Sequence, residues 1–182
     1  VGEQGWELHM KYEDGLAVWD AVRVADVMPF GVETYANTRR MEKSLRLQNA
    51  DLLTEYNLYE ADLARPKVKE ADFHGKAAHL AYRERDHQPA MLCTLVMTEN
   101  TDSDGVARYP VGILPIMDPE TGETLVDELG RRSYTTSIAY GPTIGKNIAL
   151  AYLPWEYCQV GRVLNVSYFD EIYPVEVAGV GY

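Results

Sequence analysis

The sequence predicts an α+β chain, a strand–helix–strand unit at the start followed by an antiparallel β-barrel. Three observations carry this. An alternating apolar and polar segment at residues 5–12 runs directly into a helical apolar arc. Two continuous apolar runs, Met91 to Met97 and Val111 to Met117, lie in the second half. Short alternating segments separated by Gly and Asp turns fill roughly the last hundred residues, the pattern of a small barrel or sandwich.

From Gly5 to Tyr12, Trp6, Leu8 and Met10 fall on one side of a strand and Glu7, His9 and Lys11 on the other. Asp14 is placed to cap a helix from about Leu16 to Val27, whose arc of Val18, Ala21, Val22 and Ala25 should lie on a sheet. Pro29-Phe30-Gly31 ends it, and Val32 to Leu47 reads as a short helix running into a strand. The pattern loosens from Gln48 to Lys69, which places a domain boundary near residue 62, giving domains 1–62 and 63–182. Asp72 looks like the cap of a helix from Phe73 to about Arg85 that leads into the barrel. Pro115 puts the second apolar run at a sheet edge or bulge. Asp118-Pro-Glu-Thr-Gly122 is a hairpin turn, with Pro fixing φ and Gly allowing φ > 0. Tyr134, Thr136, Ile138 and Tyr140 alternate, as do Leu164, Val166 and Tyr168, and Val175 with Val177.

The chain of 182 residues carries a formal charge of −11 with 25% charged and 46% hydrophobic residues. This is globular, and an acidic surface disfavours a phosphate-backbone partner: no nucleic acid is expected. No apolar run approaches the roughly eighteen residues of a membrane span, so no membrane partner is expected. Cys93 and Cys158 form neither a CxxC pair nor a disulfide framework, and read as reduced thiols, partly or wholly buried, in a cytoplasmic protein. His74 and His79 are five apart, one too many for a shared helix face, so no metal site is expected. Neither cysteine lies beside an obvious base, and no GxSxG elbow occurs. Gly141-Pro-Thr-Ile-Gly145-Lys146-Asn147 lacks the spacing of a phosphate loop.

Two polar side chains stand out. Glu7 lies on the polar face of the first segment and Arg40 in a charge-rich stretch; a solvated carboxylate and a surface Arg are the bland reading. A carboxylate is also suited to accept two hydrogen bonds from an N–C–N–H edge such as that of a pterin.

Five motifs in order select between these. Gly2-Glu3-Gln4-Gly5-Trp6-Glu7 resembles the GE-x-G-[FW]-E segment of the glycine-cleavage T-protein (aminomethyltransferase) family, which includes dimethylglycine and sarcosine dehydrogenases and folate-dependent demethylases. Arg40-Met-Glu42-Lys43-Ser-Leu-Arg46 is similar to R-x-E-K-x-x-R. Leu58-Tyr-Glu60-Ala61-Asp62-Leu63 is similar to PLEAGL, with Asp62 where Gly is usual. Asp72-Phe-His-Gly-Lys76 resembles DF-x-G-K/R. Thr136-Ser137 with Tyr140-Gly-Pro-Thr-Ile-Gly-Lys-Asn-Ile-Ala-Leu150 resembles the TSGGYSPTLGKNIALA signature of the C-terminal barrel.

The resemblance implies the end of a folate-binding domain followed by a whole barrel, with the N-terminal half of the protein as missing partner and the chain inactive without it. It implies tetrahydrofolate as the one-carbon acceptor and a small methyl donor as the other substrate. Glu7 aligns with a pterin-contacting Glu and Arg40 with an Arg near the folate, Arg40 being equally able to pair with Glu42 or Glu7 structurally; no residue present matches the family's catalytic Asp. Gly31 to Glu42 lacks the ARD run usual in T-proteins. That favours the demethylase and dehydrogenase branches, with aryl methyl ethers among the candidate donors. A glycine-cleavage aminomethyltransferase and a non-catalytic binding module are the alternatives. Residues up to about 60, with Trp6 and Leu8 uncovered, are expected to exchange amide hydrogens first.

Overall fold

The computed structural model describes residue 2 and residues 4–181. Six antiparallel strands form one curled sheet in the order β2-β5-β6-β1-β4-β3: β1 Ala90–Met97, β2 Ile116–Met117, β3 Thr135–Gly141, β4 Lys146–Pro154, β5 Val163–Tyr168 and β6 Glu171–Val180. Its two edges meet. Pro115 pairs with Tyr134, flanked by Ile116 N–H to Ser133 O at 3.0 Å and Thr135 N–H to Leu114 O at 2.8 Å. The donors belong to the neighbours of Pro115, so its missing N–H leaves no ladder bond unmade.

The sheet is buried on both sides, which is why β1 and β4 read as continuous apolar runs. Cys93, Leu95 and Met97 of β1, with Ala151 and Leu153 of β4, point into the barrel against Ile116, Leu164, Val166, Tyr173, Val175 and Val177. Leu92, Leu150 and Tyr152 point outward, where Met41 and Ala61 cover them with Leu52 and Tyr56. Residues 40–61 are thus packed on the outer face of the barrel. The expected early exchange therefore divides: residues 4–35 include no buried residue, whereas Arg40, Met41, Asp51, Glu60 and Ala61 are buried.

Several expectations for the first part are corrected. Residues 5–11 form no strand, because no described segment offers their N–H and C=O groups a ladder. Helix α1, Gly15–Arg23, is shorter than expected and lies on no sheet; Leu16 and Trp19 face solvent. Asp14 makes no capping bond, since it is itself the last residue of a 3₁₀ turn, Tyr12–Asp14, that runs into the helix. Helix α2, Lys76–Arg83, begins after Gly75 at φ +83°, three residues beyond Asp72. Gly takes this left-handed backbone without the Cβ penalty.

The strand expected after residue 40 is absent too. Residues 32–41 are helical, with a π-helical stretch at Thr34–Arg39, and the chain then turns sharply. Leu45 N–H and Lys43 N–H both bond Arg40 O at 3.0 Å, and Ser44 adopts φ +52°. The turn serves the Arg40 side chain.

Other turns follow the sequence. Gly122 N–H bonds Asp118 O at 2.9 Å, with Gly122 at φ +70°. The stretch rejected as a phosphate loop is the β3–β4 hairpin, in which Gly141 pairs with Lys146.

Candidate functional site

Arg40 is 4% exposed, and four hydrogen bonds hold its guanidinium. Nε donates to Ala36 O, Nη1 to Leu45 O at 2.9 Å and to Asp51 Oδ2 at 2.8 Å, and Nη2 to Ser137 Oγ at 2.7 Å. Asp51 is fully buried and also accepts Leu47 N–H at 2.8 Å and the Thr136 hydroxyl. Two sequence motifs therefore meet twice, directly where Arg40 donates to Ser137, 97 residues away, and through the Asp51 carboxylate, which accepts from both Arg40 and Thr136. A buried ion pair repays its desolvation only when the remaining donors and acceptors are satisfied, as they are here.

A second ion-pair network lies alongside. Glu60, 1% exposed, accepts Asn57 N–H and Nδ2–H, each at 2.8 Å, and pairs with Arg131. Arg131 also pairs with Asp127 at 2.7 Å, and its guanidinium lies 4.5 Å from the Tyr56 ring centroid. Tyr56 stacks in turn on Tyr152 at 3.6 Å between centroids. The hydroxyl of Tyr152 donates to Asp51 O at 2.8 Å, which joins the two networks.

The turn after Arg40 borders a cleft of about 390 Å³ that includes Arg39, Glu42, Lys43, Thr94, Thr143 and Ile148 in its lining. Glu42 crosses to the β3–β4 hairpin, accepting Thr143 N–H at 2.6 Å and Thr143 Oγ1–H at 2.9 Å. Across the floor, Ser44 and Thr94 share a hydroxyl hydrogen bond of 2.7 Å. Glu42 and Lys43, both half-buried, wall the cleft.

Glu7 lies elsewhere. Its side chain is 88% exposed, with His9 Nε2 at 3.5 Å, and no hydrogen bond or ion pair joins it to Arg40 among the described residues. Glu3 of the same motif falls outside the described residues. The structure thus brings Arg40 to Thr136 and Ser137, but not to Glu7 or Glu42.

Asp51, Arg131 and the bracing role of Glu60 were not legible in the sequence. Asp51 sits in a polar turn with no motif around it, and its partners arrive only when the sheet forms. His79, weighed as a metal ligand, instead meets the Tyr59 hydroxyl at 3.1 Å.

Residues 1–68 match the family model for the GCVT N-terminal domain, and residues 108–180 that for the glycine cleavage T-protein C-terminal barrel domain. Human mitochondrial dimethylglycine dehydrogenase is 30% identical across 97% of this chain and 19% of its own length. The aminomethyltransferase of Exiguobacterium sibiricum is 32% identical across 98% of this chain and 42% of its own. The chain therefore spans less than half the length of these relatives. Among solved structures, the glycine cleavage system aminomethyltransferase T of Bartonella henselae superposes with a TM-score of 0.67 over 90% of this chain and 42% of that one, at 19% identity, a likeness of fold. With both family domains matched in order and the curled antiparallel sheet in place, the chain belongs to the glycine-cleavage T-protein family.

Proposed function

We propose that this chain is part of a tetrahydrofolate-dependent one-carbon transferase in which a methyl group passes from a small donor to folate N5. The observation that carries the reading is convergence. The segments holding the family motifs around Arg40 and Thr143 frame one cleft, whose lining includes the cations Arg39 and Lys43. Cations there suit the anionic tail of a folate.

The residues present fit tetrahydrofolate unequally. Glu7 presents an exposed carboxylate able to accept two hydrogen bonds from the amino-pyrimidinone edge. Arg40 does not suit a direct contact, because its guanidinium is already committed to Ala36, Leu45, Asp51 and Ser137. Its neighbour Arg39 takes that place in our reading, with Arg40 setting the turn that positions it. Folate supplies the nucleophilic nitrogen; this chain orients it beside the donor.

The methyl donor is proposed to be an N-methyl or aryl O-methyl compound, a reading supported by the missing ARD run and the likeness to dimethylglycine dehydrogenase. The aminomethyltransferase likeness favours a second reading, transfer of an aminomethyl unit in glycine cleavage. We place the protein in the cytoplasm. Among the described residues no helix is long and apolar enough to cross a membrane.

We propose as its partner the missing N-terminal half of the same protein. The exposed apolar side chains of Trp6, Leu8, Leu16, Trp19, Met28 and Phe30 give it a surface to cover. Calorimetric titration of the full-length protein with tetrahydrofolate tests the site. Glu7→Ala should cost about 2–4 kcal/mol in binding if the partner buries the pair, and much less if it stays exposed. Arg39→Ala should weaken binding without loss of stability. Affinities equal to wild type would remove both residues from the site.

A further inference from the structure

A second cleft, of about 530 Å³, opens between the loop at residues 98–110 and the β5–β6 turn, and it shares no lining residue with the Arg39–Thr143 cleft. Four aromatic rings line it, Tyr109, Tyr168, Phe169 and Tyr173, together with the carboxylates of Asp102, Asp104 and Glu171 and one cation, Arg108. Arg108 Nε pairs with Asp102 Oδ2 at 2.6 Å, so that charge is answered locally. Asp104 and Glu171 leave the cleft acidic.

Two features indicate a ligand. Tyr173 is 1% exposed, borders the cleft, and its hydroxyl makes no hydrogen bond to any described residue. Burial raises its pKa, and the Asp102 and Glu171 carboxylates that line the same cleft add to this. A buried phenol normally finds a partner. Phe169 is the other. It occupies a two-residue hairpin turn at φ +50°, where Asn or Gly is usual, and stands 83% exposed at the cleft beside Tyr168, with ring centroids 4.5 Å apart.

From this lining we infer that the cleft binds the methylated ammonium head group of a small molecule. Ring faces attract such a cation through their quadrupole, and the Asp104 and Glu171 carboxylates, the latter hydrogen-bonded by the Ser103 hydroxyl, add a long-range field of the right sign. The phenol oxygen of Tyr173 accepts an N–H or a polarised methyl C–H. A divalent metal is a poorer fit, since it needs six or more oxygens and Asp102 has already given its own to Asp104 N–H, Val106 N–H and Arg108. An anion would meet the carboxylates. The cleft falls in the size range of small-molecule sites.

The test is an amide-resolved NMR titration of the full chain with choline and, in parallel, with its neutral isostere in which carbon replaces the ammonium nitrogen. Choline should shift resonances at residues 102–109 and 168–173 saturably, with Kd on the order of millimolar, and the isostere should not. Phe169 lies in an exposed turn and Glu171 is half-buried at the start of β6, both outside the core; Phe169→Ala and Glu171→Gln should each weaken choline about two- to fivefold. Equal response to the two compounds, no saturable shift in this cleft, or variants that bind like wild type would overturn the assignment. A trimethyl-lysine peptide binding more than tenfold tighter than choline would overturn the small-molecule occupant in favour of a modified protein. Folate binding does not enter any of these readouts.

Discussion

Replacing Asp51 with alanine leaves the Arg40 guanidinium buried without its carboxylate. Breaking such a pair costs about 3–5 kcal/mol. The local geometry selects the lower end. Arg40 keeps Ala36 O, Leu45 O and Ser137 Oγ, and the Thr136 hydroxyl keeps Leu150 O at 3.2 Å, so Leu47 N–H alone among the partners named here loses its acceptor. We expect a loss of about 3 kcal/mol, a lowering of Tm by about 6–12 °C for a chain of this size. Arg40→Met should cost a similar amount, because it strands the Asp51 carboxylate in the interior. The double variant removes both charges and should be about 2 kcal/mol more stable than the sum of the singles predicts. Urea denaturation of the four proteins supplies the cycle, and tetrahydrofolate titration of the full-length versions accompanies it. Wild-type stability in Asp51→Ala would refute the reasoning. So would an Arg40→Met protein of unchanged stability and abolished folate affinity, which would return Arg40 to the ligand.

Hydrogen exchange should separate residues 4–35 from residues 40–61, the first exchanging early and the second protected with the barrel; equal protection of the two would contradict the packing of Met41 and Ala61 on the sheet. Cys93 Sγ lies 3.8 Å from Cys158 Sγ, so diamide, which is reduced as it removes two hydrogens, should close an intramolecular disulfide. Closure should be slow, because the hydrogen bond to Cys158 and burial push the Cys93 thiol up, and mass spectrometry that finds only intermolecular links would count against it. Burial and the Glu55 carboxylate raise Tyr134 from its ordinary 10.0 to about 12. The protonated phenol is therefore favoured in the native state: its stabilisation is complete below pH 10 and is lost as pH rises through about 12. Tyr134→Phe should flatten that alkaline limb of the urea midpoint against pH, and an unchanged limb would exclude Tyr134 as its source.

The barrel was legible in the sequence because its signals are local. Continuous apolar runs require burial on both faces, Asp-Pro and Gly specify turns, and Pro115 marks a position where no N–H is needed. The motifs were equally legible as a series in order along the chain. What the sequence alone left open is which polar residues serve each other. For Arg40 the sequence left a folate contact and a structural pairing equally open, and no periodicity encodes a partner such as Ser137, 97 residues away.

The first thirty-five residues show the opposite limit. Alternation at Trp6, Leu8 and Met10 satisfies the side-chain condition for a strand, but a strand also needs a neighbour for its backbone, and no described segment supplies one. Composition and pattern therefore determined the class of this chain, its barrel and its family. Tertiary structure decided that Arg40, Asp51 and Glu60 brace the barrel, that Glu42 and Lys43 wall a cleft, and that four aromatic rings gather around Tyr173, because desolvation and pairing act on groups that meet only once the sheet has curled.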